Sequence, residues 1–388
     1  MKKIYLFACA TLLAFSSCTN EISEDGFVDK TNAISFNAYP TKSRALVAGD
    51  VTTDNMKLGN FGVVGYYSNK LYLGTATKAT EQYWDGDSWE YKTPTELRFW
   101  PNGNMDFYAF FPYTSTNTTF ASKNDGTEDP VMTFQTEDDK DQDMLFAVAK
   151  NEAKKDRLPL TFRHAFSKIE SVTIKIADGS NVENGNINVE VKKVEFTNTS
   201  TKGTINVSAD GVASYTVAAT NTTRAFDLSS DLKKISSSAK EATLVAKLNK
   251  NGYLFATNTG TAQNQVIGTG KSLWDGTAPS ASGTVEGNGS VSLKLTCKVW
   301  RSDNGTDIVT YYLGDDSNYA DMYIPLKGKV GDTENILDAL IAGKKYNFTI
   351  VMQNNVGYKN NGEPILTPIL FKVNQVVDWE EVNVTITL

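Results

Sequence analysis

Histidine, cysteine and concentrated positive charge are scarce in this chain, and each scarcity excludes a class of function. One histidine and three cysteines occur in 388 residues. Triads that need an imidazole base, and zinc sites of the Cys/His type, are thereby nearly excluded. Basic residues number 38 against 45 acidic ones, a formal charge of −7, and no dense Lys/Arg patch stands out. Nucleic acid is therefore not an expected partner. The apolar run from Ile4 to Phe15 is too short to span a membrane as a stable helix.

That run reads instead as part of an export signal. Lys2 and Lys3 precede it, and the small residues Ser16 and Ser17 follow it, directly before Cys18. Residues 1–17 form the signal. The cysteine after small residues resembles a bacterial lipobox, which implies lipidation of Cys18 and tethering to the outer membrane. Phe15 departs from the small or aliphatic residue usual at its place. Residues 18–32 are polar and acidic, a spacer. Cys9 leaves with the signal and Cys18 carries lipid, so Cys297 remains alone and no intrachain disulfide can form. Cys297 alternates in phase with Leu293, Leu295 and Val299, which predicts a buried small hydrophobe.

What the chain has in abundance is strand chemistry. Apolar residues make up 40% and aromatics 11%, enough for real cores and weighted toward β-structure. Alternating segments recur, among them 61–67, 97–100, 105–113, 144–150, 158–166, 167–177, 187–198, 204–209, 290–300, 307–313, 321–327, 345–353 and 369–379. Clusters of Gly, Asn, Asp, Ser and Thr separate them. The pattern predicts an all-β fold of two β-sandwich domains, over 33–165 and 166–388. One short helix is expected in the second, over 332–345, with Ile336, Leu337, Leu340 and Ile341 on one face and Gly343 at its end. Residues 261–290 read as a long surface loop.

Catalytic constellations are not found: no catalytic residue, cofactor site or metal site is assigned. His164 alternates with Leu160, Phe162 and Phe166, a structural histidine on an apolar strand face. Gly270-Lys271-Ser272 matches the end of a phosphate-binding loop, but Gln265 stands where its first glycine should be, so a plain loop is expected. Asp139, Asp141 and Asp143 begin like a calcium loop. Met144 and Lys150 then occupy the places of its glycine and bidentate glutamate, which leaves a solvated turn or an irregular site. "YWDGDSWEY" (83–91) reads as a hairpin with cross-strand aromatics. An alternative function, a monomeric surface glycan-binding lipoprotein, would use exposed Trp84, Trp89 or Trp274 for ring stacking.

Several segments together resemble the fimbrillin family, subunits of type V pili, in its Mfa-like branch. They are the lipobox Cys18, "ISFNAYPTKSRA" (34–45), "LRFWPNGNMDFYAFFPY" (97–113), "DQDMLFAVA" (141–149), "LPLTFRHAFSKIESVTIKI" (158–176), "GKKYNFTIVM" (343–352) and "VVDWEEVNVTITL" (376–388). The resemblance implies two transthyretin-like, Greek-key sandwiches, export as a lipoprotein and assembly at the cell surface with other copies or related subunits. It also implies maturation by an arginine-specific protease in the loop after the first strand, where Arg44 matches and Ala45 would become the new N-terminus. A strand carrying Ile34, Phe36 and Ala38 would then be displaced. Its replacement would be the alternating C-terminus, with Val382, Val384, Ile386 and Leu388 on one face. Arg44 as an ordinary turn residue, and the C-terminus as an ordinary last strand, are the competing readings.

Overall fold

The computed structural model describes residues 31–40, 53–113, 118–121, 130–136, 143–176, 186–200, 202–217, 222–226, 233–236, 243–247, 252–259, 266–280, 283–303, 307–329, 336–352, 357–365, 370–373 and 380–386. Among these residues 27 strands form, β1 to β27 in chain order. The first half builds a ring. Its strands are β1 (Phe36–Pro40), β2 (Asn60–Tyr67), β3 (Lys70–Leu73), β4 (Thr80–Trp84), β5 (Trp89–Tyr91), β6 (Met105–Phe111), β9 (Leu145–Glu152) and β10 (Leu158–His164). They run in the order β3-β2-β4-β5-β1-β10-β9-β6, and β6 pairs back onto β2. Inside lie Ile34, Phe36, Phe61, Val63, Phe107, Leu158, Leu160 and Phe162. Period-two alternation sends these side chains inward, and closure leaves no free edge along that circuit.

Two strands of the ring are buried on both faces, which explains why their sequences are apolar almost without interruption. In β2, Phe61 and Val63 face the ring core, whereas Val64 and Tyr66 join a second core. In β6, Phe107 and Ala109 point inward, and Tyr108 and Phe110 outward. A five-stranded sheet covers that outer face: β7 (Thr118–Ala121), β8 (Val131–Thr136), β13 (Gly203–Val207), β14 (Ala213–Val217) and β19 (Val266–Ile267), in the order β19-β14-β13-β8-β7. It supplies Phe120, Met132, Phe134, Ile205 and Val207 to the shared core. Gly62 stands opposite Phe110 in the β2–β6 pair, and its missing side chain makes room for that ring, which a Cβ would meet at 2.6 Å. Strand β8 pairs with β13 over five residues, so this sheet joins segments from either side of residue 165.

The second half is a two-sheet sandwich. One sheet runs β17 (Thr243–Lys247), β11 (Ser167–Ile176), β25 (Lys344–Met352), β26 (Leu370–Val373) and β27 (Glu380–Ile386), with β18 (Tyr253–Leu254) beside β11. The other runs β15 (Thr222–Phe226), β12 (Asn186–Thr199), β20 (Ser292–Asp303) and β21 (Asp307–Leu313), with β16 (Lys233–Ser236) on β12 and β22 (Ala320–Ile324) on β20. Val172, Ile174, Phe348 and Ile350 from the first sheet meet Val189, Val191, Leu295 and Cys297 from the second. Cys297 is fully buried, and burial pushes its thiol pKa up.

Three sequence expectations are corrected. The helix expected over 332–345 is absent from its described part, 336–345: Ile336–Leu337 is strand β24, paired with β23 (Gly328–Lys329). Leu337 and Leu340 are buried as the apolar spacing suggests. Their backbone, however, is tied to a neighbouring segment rather than to itself. The Leu340 N–H donates to Thr257 Oγ1 at 2.7 Å, its carbonyl accepts the Thr257 N–H at 2.7 Å, and the Ile341 N–H donates to the Tyr346 hydroxyl at 2.8 Å. Among the described residues the α-helix that forms is α1 (Thr53–Met56), in the first half. The strand expected at 97–100 shrinks to a bridge between Phe99 and Ala33. Part of the supposed surface loop over 261–290 packs inward: Trp274 and Val285 are buried with Tyr323 in a small core of their own.

Candidate assembly site

The first strand is built into the ring on all sides. Its burial alternates, with Phe36, Ala38 and Pro40 inside and Asn37 and Tyr39 outside, and Ile34 just before it is fully enclosed. Strand β10 runs parallel to β1 through five residue pairs, Phe36 opposite Leu158 to Pro40 opposite Phe162. On the other flank the contact with β5 is one antiparallel pair, Phe36 opposite Trp89. The Phe36 ring makes edge contacts with Phe61 at 6.1 Å and Phe107 at 5.8 Å between centroids. Polar groups fix the entry to the strand. The Ile34 N–H donates to the Arg98 carbonyl at 2.8 Å, and the Leu158 N–H to the Ser35 carbonyl at 2.8 Å. The buried Tyr91 hydroxyl donates to the Ile34 carbonyl at 2.7 Å, and desolvation raises that phenol's pKa.

Burying Ile34 and Phe36 contributes about 1.5–3 kcal/mol each, and each ladder hydrogen bond about 0.5–1.5 kcal/mol. Loss of β1 therefore removes an amount comparable with the whole stability of an ordinary domain, about 5–15 kcal/mol. The slot needs an occupant.

The C-terminal strand has a different position. β27 ends its sheet, running parallel to β25 through five pairs, Lys344 opposite Glu380 to Phe348 opposite Val384. Its other end is antiparallel to β26, with Phe371 opposite Ile386. Val382, Val384 and Ile386 thus share one register phase of β27, while Leu388 lies outside the described residues, as do Cys18, Arg44, Ala45, Asp139 and Asp141. The structure brings Ile34, Phe36 and Ala38 together in one core and places the C-terminal positions in a separate sheet.

The remaining sequence candidates fall in structural places. His164 Nδ1 meets Asp143 Oδ2 at 2.7 Å, both side chains buried, where β10 ends beside the start of β9. Asp143 is thus committed to the fold rather than to a solvent-facing turn. The hairpin of β4 and β5 pairs Trp84 with Trp89. Trp89 and Trp274 are each 2% exposed, and Lys57 Nζ sits 4.6 Å from the half-buried Trp84 ring. Trp89 and Trp274, being buried, offer no ring face for stacking a saccharide, contrary to the exposure expected of them. Sequence reasoning gave no sign of the β8–β13 pairing, which depends on contacts between distant segments.

The described residues form an all-β fold with β1 seated in the slot between β5 and β10. Among the described residues no group of three His, Cys, Asp or Glu side chains is placed to hold a metal. The fimbrillin-like family pattern matches residues 43–364, and the chain belongs to that family of fimbrial proteins. No curated protein matches the chain. Solved structures with a similar arrangement include a fimbrial protein from Bacteroides vulgatus ATCC 8482, 17% identical, covering 82% of this chain and 94% of its own, with a TM-score of 0.46. A candidate cell-adhesion protein from Parabacteroides distasonis ATCC 8503 is 12% identical, covering 87% and 98%, with a TM-score of 0.41.

Proposed function

We propose that this chain is a structural, non-enzymatic subunit of a cell-surface fimbria, exported as a lipoprotein through Cys18 and polymerised by exchange of β1. An arginine-specific protease hydrolyses the Arg44–Ala45 peptide bond; water supplies the new carboxylate on Arg44 and the new amine on Ala45. The lipid, the spacer and β1 leave together. The vacated slot between β5 and β10 then receives the Val382, Val384, Ile386 and Leu388 face of another copy or a related subunit. The division into domains over 33–165 and 166–388 belongs to the same reading.

The observation that carries this reading is the enclosure of β1. A strand whose alternate side chains Phe36, Ala38 and Pro40 are buried lies at 36–40, and four residues beyond its end stands the arginine. The parallel pairing of β1 with β10 and of β27 with β25 gives the two strands the same kind of partner relation. The test compares the native chain with Arg44→Ala under an arginine-specific protease. The native chain is expected to yield an N-terminus at Ala45 and polymers resistant to mild detergent, and the variant neither. Equal polymerisation of the two would sink the cleavage assignment.

A further inference from the structure

Strand β4 turns polar side chains into the ring. Thr80 stands opposite Val63 of β2 and Gln82 opposite Phe61, and residues directly opposite one another in a sheet share a face. Gln82 also stands opposite Tyr91 of β5. Phe61, Val63 and Tyr91 belong to the ring core, so Thr80 and Gln82 face it as well. Both are buried, Gln82 with 0% exposure.

Nothing among the described residues serves these groups. Thr80 Oγ1 and both ends of the Gln82 amide, Oε1 and Nε2, have no hydrogen-bond partner. The same holds for Nε1 of Trp89, the residue of β5 directly opposite Phe36 of β1. A buried amide with neither end paired has lost its hydration without return, and native proteins rarely keep one. The resident strand does not relieve it. Its inward side chains, Phe36, Ala38 and Pro40, with Ile34 before them, are all apolar. Tyr91 lies between Gln82 and β1 in the strand order, and its hydroxyl is committed to the Ile34 carbonyl.

β2, β4 and β5 stay in place during the proposed exchange, so a new occupant of the slot is the element able to bring Gln82 a partner. A carboxamide suits it best, because it donates to Oε1 and accepts from Nε2 at once. We infer that the slot selects an incoming strand with an asparagine or glutamine at one inward position, and that Gln82 reads that residue. The inward face assigned to this chain's own C-terminus, Val382, Val384, Ile386 and Leu388, carries neither. A strand of a related subunit with such an amide therefore outcompetes a second copy of this chain. The inference rests on the exchange of β1, but selection can fail while exchange stands.

The test cleaves the full chain with an arginine-specific protease in excess synthetic strand. Residues 380–388 compete pairwise with the same peptide carrying Val382→Gln, Val384→Gln, Ile386→Gln or Leu388→Gln. At least one glutamine peptide should be retained roughly tenfold over the native one. Gln82→Met, which removes the amide at similar volume, should reverse that order. In the uncleaved chain the same variant should raise the thermal midpoint, since it relieves an unpaired buried group. Retention of the native peptide over all four, the same order in Gln82→Met, or a midpoint that fails to rise would each overturn the selection. Retention of no peptide at all would instead strike the exchange of β1, and the selection with it.

Discussion

β1 and β27 are short strands near opposite ends of the described chain, and each runs parallel to a neighbour through five residue pairs. Their surroundings differ. β1 is enclosed in a ring, with Phe36 fully buried between Phe61 and Phe107, whereas β27 terminates an open sheet. Equal pairing with unequal enclosure teaches where exchange would act. A ring strand cannot leave without opening a core, so its slot must be refilled. An edge strand can leave with its parent sheet still joined through β25 and β11. Under the proposed function, the enclosed strand defines the acceptor and the edge strand the donor.

The comparison can be broken most severely by removing β1 itself. A chain of residues 45–379, which lacks both β1 and the donor segment, should lose cooperative unfolding in its first half and aggregate; a sharp unfolding transition like that of the full chain would contradict the enclosure argument. Phe36→Ala comes next, with an expected loss of about 3–5 kcal/mol measured by denaturant titration. Deleting 380–388 should cost less than Phe36→Ala and abolish polymers while the monomer stays folded. Persisting polymers would remove β27 from the donor role. Smallest is Tyr91→Phe, which loses the bond to the Ile34 carbonyl and should cost about 1 kcal/mol; a null effect would show that the entry to β1 is held by the backbone alone.

Much of this frame was legible in the residues. Alternation marked β2, β6, β9 to β12, β20, β21 and β25, because each presents a buried face every second residue. The inward faces of His164 and Cys297 followed from the same phase. Misreadings arose where backbone satisfaction overrode periodicity. Leu337 and Leu340 have helical spacing and are buried, but Thr257 holds the Leu340 backbone and forbids the helix. The segment around Trp274 is too polar to suggest burial, yet its indole N–H reaches the Thr277 carbonyl at 3.0 Å and its ring meets Tyr358 at 5.3 Å between centroids. The five-stranded sheet was illegible because β8 and β13 are distant in the chain, and short strands such as β7 and β14 carry little pattern. The slot around β1 was half legible: its inward residues could be read, but not the ring that surrounds them.

The most direct measurement of the account is hydrogen exchange at the β10 amides of Leu158, Leu160, Thr161 and Phe162, in a chain lacking residues 380–388, before and after cleavage by an arginine-specific protease. Cleavage should sharply accelerate their exchange, and a synthetic peptide of residues 380–388 should restore protection. β10 amides that stay protected after loss of β1, or that the peptide fails to protect again, would contradict the exchange of one strand for the other.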